Sequence, residues 1–210
     1  MSTTSPGVPS KGEVTRRAVL DAAIARFGRD GFRATSVADI ARDAGVGGTV
    51  AYAYFPNKEA LFLAAVDDDA AAVIVEGVSH ILDDLENDDW RGSLVFTLVE
   101  AVDRHPLARR LLAGLEPEVT ARVMDIPALH ELRKACAERL RAEQASGHVR
   151  PDIDAVAVAN GIVTICLSLL RAVVQIGSEV TSLYATDIAA VFAAALDPVP
   201  APAPPAPPAA

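Results

Sequence analysis

The spacing of proline is the feature that most constrains how this 210-residue chain can fold. Seven of the 14 prolines lie between residues 198 and 208, and three long windows, residues 10–55, 57–105 and 152–197, contain none. Proline breaks helix interiors because it lacks a backbone N–H and its ring clashes with the preceding turn, so these windows favour long helices. No window shows the polar and apolar alternation of a half-buried strand. The sequence therefore predicts an all-α fold of about nine helices.

The composition at the two ends differs from that of the middle of the chain. Residues 1–11 are rich in Ser, Thr, Pro and Gly, and residues 197–210 form a Pro/Ala-rich tail. Neither composition holds a helix, so we expect both segments to be disordered. The N-terminus also lacks the apolar run of a signal peptide. Between the ends we expect an N-terminal helical domain over residues 12–72 and a second helical domain over residues 73–196.

The cysteines and the uncharged stretches indicate the compartment. Cys136 and Cys166 lie far apart, with no CxxC or Cys/His grouping, which is typical of buried thiols in a reducing compartment. The longest uncharged stretch, residues 155–170, is shorter than the about 20 residues of a membrane-spanning helix. We therefore expect a cytoplasmic, soluble protein with no membrane partner, no metal and no cofactor.

The net charge of −9 taken alone argues against a nucleic-acid partner. Its distribution changes that interpretation. Residues 1–66 contain eight basic and six acidic side chains, a net charge of +2, and the remainder contains 11 basic and 22 acidic side chains, a net charge of −11. The acidity therefore belongs to the second domain, and the first domain is compatible with DNA.

The first domain shows the pattern of a helix-turn-helix unit. A helical stripe over residues 13–29 ends at Asp30-Gly31, and Thr35 and Ser36 are suitable N-caps for a short second helix that ends near Asp43. The tight turn at residues 44–46 then leads to a third helix that ends at Tyr54. Two helices joined by a Gly-containing turn and preceded by a supporting helix are the layout of a DNA reader.

The residues themselves make this pattern more specific. Residues 15–66 closely resemble the N-terminal domain of the tetracycline-repressor (TetR) family of transcriptional regulators, over about a quarter of the chain and without gaps. The matching elements are Ala22-Ala23, Phe27, Gly31-Phe32, Thr35-Ser36-Val37, Ile40-Ala41, Ala44-Gly45-Val46, Tyr52, Tyr54-Phe55 and Lys58-Glu59-Ala60-Leu61. The resemblance implies a dimer whose third helix enters the major groove and whose remaining helices form a ligand-responsive, dimerising domain.

Carried over by position, the resemblance makes residues 35–54 the helix-turn-helix of a DNA-binding domain that covers residues 12–72. The residues predicted to contact DNA are Thr35, Ser36, Gly47, Gly48, Thr49, Val50, Tyr52, Ala53, Tyr54 and Lys58. The chain departs from the family in its recognition helix, where Gly47 replaces a common serine N-cap and Ala53 replaces a frequent polar or basic residue. With few hydrogen-bonding side chains there, we expect readout weighted toward thymine methyl groups and DNA shape.

A polar line follows the predicted helix of residues 152–176. Its members are spaced by three or four positions and so share one face: Asn160, Thr164, Ser168, Arg171 and Gln175. The line is typical of a ligand pocket, a subunit interface or the solvated face of a packed helix. In the resemblance the last two large helices pair with their mates in a dimer, so we assign a dimer interface to Asn160, Gly161, Thr164 and Ser168.

An effector pocket between the middle helices is the remaining predicted site. Its candidate lining residues are Trp90, Phe96, Met124 and His130, with His105 as a polar anchor. Ordinary core packing or a surface position is the alternative for each of them. The acidic run at residues 83–89 lacks the Gly and the closing Glu of a calcium loop and indicates a solvated linker instead.

Two hypotheses about function follow. The first is a ligand-responsive transcriptional regulator, acting as a repressor, that binds a palindromic double-stranded DNA operator as a homodimer and is released by a small-molecule effector. The second is an all-helical small-molecule-binding or catalytic protein that keeps the three-helix unit as a scaffold. No pattern of catalytic residues supports an enzyme, and the sequence does not separate repression from activation.

Overall fold

The computed structural model describes residues 10–83, 90–123 and 126–198. All regular elements in these ranges are helical, which confirms the all-α class, and there are ten of them where about nine were predicted. They are α1 (Lys11–Ala34), α2 (Val37–Asp43), α3 (Gly48–Tyr54), α4 (Lys58–Asp83), α5 (Trp90–Arg104), α6 (Pro106–Leu112), α7 (Pro117–Val123), α8 (Pro127–Ser146), α9 (Ala155–Ile176) and α10 (Ser178–Leu196). Met124 lies outside the described residues, as do most of the acidic run and most of the two predicted disordered ends.

The first helix begins and ends where local chemistry dictates. The Ser10 hydroxyl accepts a hydrogen bond from the Glu13 N–H at 3.2 Å, and the Glu13 carboxylate accepts one from the Ser10 N–H at 2.7 Å, which is a capping box. The predicted end at Gly31 is a kink in the observed helix, where φ is 80° and the chain continues to Ala34. Glycine suits this point because a left-handed φ is strained for other residues.

Two apolar cores divide the fold. The N-terminal core joins α1, α2, α3 and the first half of α4, and the C-terminal core joins the second half of α4 with α5, α8 and α9. The changeover lies within α4, between Val66 in the N-terminal core and Ala70 in the C-terminal core. The boundary expected at residue 72 therefore falls inside one continuous helix, near this changeover, and no linker separates the two parts.

Helix α6 is the second element shared by both cores. Its Leu107 and Leu111 side chains pack in the N-terminal core, whereas Ala108 packs in the C-terminal core. The start of α6 also lies against α1, because a Cβ atom placed on Gly28 would come within 2.8 Å of the Pro106 Cβ atom. Only glycine permits so close an approach of the two helices.

A buried carboxylate on α4 holds the start of α6 in place. Asp69 is 3% exposed, and its Oδ2 atom accepts hydrogen bonds from the Leu107 and Ala108 N–H groups at 2.9 and 2.8 Å. Its Oδ1 atom lies 2.8 Å from His105 Nδ1. Pro106 at the first helical position has no N–H, so Asp69 satisfies the free amides that follow it. A negative charge is also favourable at the N-terminus of a helix.

The length and apolar composition of helix α9 bear on whether the chain could cross a membrane. Its 22 residues are long and apolar enough to cross a bilayer by length and composition, since Arg171 is its only charged residue. The sequence argument used the uncharged stretch, its length and the polar residues within it, and did not consider the whole helix. In the fold, one side of α9 belongs to the C-terminal core, with buried residues such as Ile162, Val163 and Cys166. Core helices of globular proteins meet the same criterion.

We expect Asp69→Ala to destabilise the protein strongly, because it leaves the buried N–H groups of Leu107 and Ala108 without an acceptor. The loss is about 2–4 kcal/mol, which corresponds to a fall in Tm of roughly 4–16 °C. Thermal unfolding followed by circular dichroism measures it. The control is Asp67→Ala on the same helix, whose exposed ion pair with Arg122 contributes at most about 1 kcal/mol. Equal Tm values for the two variants would contradict the role of Asp69.

Candidate nucleic-acid interface and interior cavity

The helix-turn-helix geometry is formed by α2 and α3. The Ser36 hydroxyl caps α2 by accepting from the Asp39 N–H at 3.2 Å and donates to the Asp39 carboxylate at 2.7 Å. In the turn, Gly45 has a φ of 67°, and the Val46 N–H donates to the Ala41 carbonyl at 2.9 Å. Helix α3 then begins at Gly48, after the N-cap residue Gly47, which provides no side-chain cap. The first turn of α3 therefore keeps free N–H groups.

Helix α3 has one buried side chain and an otherwise exposed surface. Ala51 is fully buried and anchors the helix in the N-terminal core. The predicted DNA-contacting residues that the structure leaves exposed on or beside α3 are Gly47, Gly48, Thr49, Val50, Tyr52 and Ala53. Among them Tyr52 is 53% exposed and presents the largest polar side chain. The small outward residues give this helix a shallow surface.

The remaining predicted DNA-contacting residues differ in accessibility. Ser36 is exposed, but Thr35 is buried at 3% exposure, and its hydroxyl donates to the Gly31 carbonyl at 2.8 Å. The Thr35 hydroxyl is therefore used at the end of α1 and is not available to a phosphate, so only the backbone of Thr35 is left for the predicted DNA contact. Tyr54 is half-buried, with its hydroxyl oxygen 3.6 Å from a Cβ placed on Gly12.

Lys58 is also half-buried, and its ammonium group is partly engaged. The Nζ atom lies 4.4 Å from the centre of the Phe32 ring and 3.5 Å from the Arg33 carbonyl oxygen. A cation over an aromatic ring is held by the negative face of the ring. Lys58 has no carboxylate partner among the described residues. Its positive charge is therefore positioned without being neutralised.

Five of the eight basic side chains in residues 1–66 have a carboxylate partner: Arg33 lies 3.8 Å from Glu118, and four other arginines are paired more closely. Each of the four arginines concerned has an aspartate within 2.6–2.8 Å: Arg17 with Asp21, Arg26 with Asp43, Arg29 with Asp30 and Arg42 with Asp39. The hydrogen bonds from Arg26 hold the pKa of Asp43 below its ordinary value, and those from Arg29 do the same for the pKa of Asp30. The positive charge free to meet phosphates is thus smaller than the sequence count suggests.

Two basic residues that the sequence analysis did not select lie beside α3. The Arg16 guanidinium lies 5.1 Å from the centre of the Phe55 ring, and Phe55 directly follows α3. Lys11 begins α1, next to Gly12 and the Tyr54 hydroxyl. Neither has a carboxylate partner among the described residues. Lys11 and Arg16 stand out only because other basic residues of this domain are paired with carboxylates. The sequence does not show which basic residues are paired.

A cavity of about 200 Å³ lies in the C-terminal core, between α4, α5, α6, α8 and α9. Its lining is almost entirely aliphatic: Ala70, Val73, Ile74, Leu98, Val102, Ala108, Leu111, Leu112, Leu132, Leu167 and Leu170. The three polar lining residues, Thr164, Ser168 and Arg171, all come from α9. Both shared elements, α4 and α6, contribute to its wall.

The four predicted pocket residues that the structure describes do not line this cavity. Trp90 is fully buried, and its Nε1–H donates to the Glu143 carboxylate at 2.7 Å, so it anchors α5 to α8. Phe96 is 70% exposed, and His130 is exposed near the start of α8. His105 belongs to the Asp69 network. Sequence periodicity did not reveal that these side chains face away from the cavity.

The predicted dimer-interface residues divide into two groups. Asn160, Gly161, Thr164 and Ser168 are all exposed on α9. Thr164 and Ser168 border the cavity, whereas Asn160 and Gly161 do not, and a Cβ placed on Gly161 would meet no atom within 4 Å. The polar line therefore meets two surfaces: Asn160 faces outward, and Thr164, Ser168 and Arg171 border the cavity. Among the described residues, no group of three or more His, Cys, Asp or Glu could hold a metal.

Comparison with known proteins agrees with this geometry. Residues 19–65 match the family model of "Bacterial regulatory proteins, tetR family", a segment that spans most of α1, all of α2 and α3 and the start of α4. The chain is 29% identical over 158 residues to the uncharacterized HTH-type transcriptional regulator YdgC of Bacillus subtilis, covering 73% of this chain and 78% of that protein. These matches support a regulator of the TetR family.

Solved structures share the fold of this chain over nearly its whole length. A TetR-family transcriptional regulator from Pectobacterium atrosepticum superposes with a TM-score of 0.72 at 18% identity, covering 90% of this chain and 98% of that one. Thermus thermophilus FadR, a TetR-family repressor in complex with lauroyl-CoA, superposes with a TM-score of 0.61 at 18% identity, covering 91% and 98%. The all-helical fold is thus common to these proteins.

Proposed function

We propose that this TetR-family regulator is a cytoplasmic repressor that binds a palindromic operator as a homodimer and is released by a small molecule in the C-terminal cavity. The observation that carries the proposal is the continuity of α4. Its first half packs in the N-terminal core beside α3, and its second half provides Ala70, Val73 and Ile74 to the cavity wall. A change at the cavity therefore has a rigid path to the DNA-binding unit.

On the DNA side, the exposed face of α3 would contact bases, and the cations beside it would contact phosphates. Thr49 and Tyr52 are the hydrogen-bonding side chains that α3 presents, and its small residues suit contact with thymine methyl groups. Lys11, Arg16 and Lys58 would meet phosphates on either side. Because so few cations are unpaired, sequence-independent binding is weak, and stable binding requires two reader domains on one operator.

On the dimer side, α9 and α10 leave a surface of small residues uncovered. The Arg150 N–H donates to the Leu196 carbonyl at 2.8 Å, which holds the end of α10 beside the start of α9. The exposed residues on this surface include Val156, Ala157 and Gly161 of α9 and Ala190, Val191 and Ala194 of α10. Small apolar residues allow helices of two subunits to approach closely, and a second copy would bury Val191, which is 60% exposed here.

Release of the DNA follows from a difference in the ligand's affinity for two conformations of the dimer. A ligand that fills the cavity pushes against α4 and α6, and the Asp69 hydrogen bonds make the two helices move together. The two reader domains of the dimer would then be spaced wrongly for successive major grooves. The ligand shifts the equilibrium only by the ratio of its affinities for the two spacings. In this proposal the cavity binds its ligand without a chemical reaction, as its aliphatic lining suits binding and provides no acid or base.

We expect Thr49→Ala, Tyr52→Phe and Lys58→Ala each to weaken DNA binding about fivefold or more, because each removes a hydrogen bond or a charge facing DNA. The measurement is a gel shift on the DNA that flanks the coding region of this protein. Circular dichroism checks that each variant is folded. Unchanged affinity in all three variants would refute the placement of α3 on DNA.

The double variant Lys11→Ala/Arg16→Ala should lower the slope of log K against log salt concentration by about two, since two phosphate contacts are lost. The matched control is Arg122→Ala/Lys134→Ala, two cations of the C-terminal domain, which should leave the slope unchanged. A slope equal to that of the unmodified protein would remove Lys11 and Arg16 from the interface. Transcription from the same DNA, reduced by the protein and restored by its ligand, distinguishes repression from activation.

Gly161→Leu should convert the dimer to a monomer, measured by sedimentation velocity. A side chain at this position meets nothing within the monomer, so a fold defect is not expected, and leucine is a better helix former than glycine. A second subunit packed at Gly161 would be displaced. The control Ala145→Leu, on the exposed end of α8, should leave the mass unchanged. A Gly161→Leu dimer of unaltered affinity would place the interface elsewhere.

A further inference from the structure

The cavity wall is specific in its chemistry. Eleven of its 14 lining residues are aliphatic, and none is aromatic or acidic. Apolar side chains surround the interior on α4, α5, α6 and α8, whereas polar groups occur along one helix only. A ligand that fits such a wall has an aliphatic body and one polar end.

The polar groups of the wall differ in what they offer. The Thr164 hydroxyl donates to the Asn160 carbonyl at 2.8 Å, and the Ser168 hydroxyl donates to the Thr164 carbonyl at 2.9 Å. Their hydrogens are therefore used within α9. Arg171 is exposed at the cavity, one turn beyond Ser168, and forms no hydrogen bond or ion pair with any described residue. It is the group of the wall that has donors to spare.

We propose that the ligand of this cavity is a medium-chain aliphatic carboxylate, whose chain lies among the apolar residues and whose head group binds Arg171. This inference rests on the proposed function only in taking the cavity as the effector site. Guanidinium and carboxylate groups pair through two parallel hydrogen bonds, which fixes the orientation of the head group. The apolar chain is bound because its transfer from water is favourable.

The same wall disfavours other ligand classes. A cationic ligand would find no carboxylate and no aromatic ring in the lining, and it would be repelled by Arg171. A sugar or another polyhydroxyl compound would leave most of its polar groups unpaired against aliphatic side chains. A neutral alkyl chain would gain the apolar contacts but not the charged hydrogen bonds.

The size of the cavity sets the length of the chain. Its volume of about 200 Å³ is somewhat larger than the roughly 150 Å³ apolar cavity that binds benzene. A body of about six to ten carbon atoms fits this space. Gln175 lies one turn after Arg171, and its Nε2 atom donates to the carbonyl of Leu112, itself a lining residue, at 2.9 Å. A chain inserted between α9 and α6 therefore acts directly on α6, which packs against the DNA-binding domain.

Isothermal titration calorimetry of the full-length protein with octanoate, 1-octanol and octylamine tests the proposal. The three probes share one chain and differ in the charge of the head group. We expect octanoate to bind about fivefold more tightly than octanol, and octylamine to bind more weakly than both. Equal affinity for the three probes, tighter binding of octylamine, or no binding of octanoate would overturn the proposal.

Variants show whether Arg171 and this cavity are responsible. Arg171→Gln should remove the preference for octanoate over octanol while leaving octanol binding unchanged, because the apolar wall is intact. The matched control is Arg141→Gln, an exposed arginine on α8 that does not line the cavity. Ser168→Leu, which places an alkyl group in the wall at an exposed position, should weaken octanoate and octanol alike. A preference for octanoate that survives Arg171→Gln would overturn the assignment.

The calorimetry contains no DNA, so its result is separate from the regulatory proposal. Octanoate binding that depends on Arg171, in a protein that fails to shift the flanking DNA, would support the ligand class and refute the proposed function. A protein that shifts the flanking DNA but binds the three probes with equal affinity would support the proposed function and refute the ligand class. With both proposals correct, octanoate dissociates the DNA complex, and Arg171→Gln raises the octanoate concentration required by about fivefold.

Discussion

The hydrogen bonds from the Asp69 carboxylate to the first turn of α6 are the contact on which the two halves of this protein depend. Asp69 lies on α4 at the changeover between the two apolar cores, and α6 contributes side chains to both. Without this cap the first amides of α6 would be buried and unpaired, which costs more than the bonds themselves contribute. Two shared helices joined by a buried carboxylate make the domains one mechanical unit.

In the proposed function, that unit is what allows a modest DNA-binding surface to be regulated. Four arginines of the N-terminal domain are bound to aspartates, so the surface beside α3 carries few free cations. Binding that depends on two readers together is sensitive to their spacing, and spacing is what motion of α4 and α6 changes. Weak single-site binding and strong coupling are therefore complementary properties of the same structure.

Much of this fold was predictable because helices are local. Proline spacing predicted the long helices, α3 ends at Tyr54 as expected, and the glycine expected to end α1 produces a kink at Gly31. The family was identifiable because its motif is contiguous in sequence. The cavity was not predictable: its wall combines five helices, and the candidates Trp90, Phe96 and His130 face the core or solvent instead. The periodicity of one helix does not show which other helix each of its faces will contact.

The sequence by itself determined the all-helical class, the position of the helix-turn-helix and the contrast in charge between the domains, because these follow from local propensity, contiguous motifs and counting. The tertiary structure alone decided which charges remain free. It separated Lys11 and Arg16 from the arginines that aspartates neutralise, buried the Thr35 hydroxyl and placed Arg171, which pairs with no residue of the described part of the chain, at an aliphatic cavity. The physical reason is distance: pairing, burial and shared walls join residues far apart in the chain, and only the packing of helices brings them together.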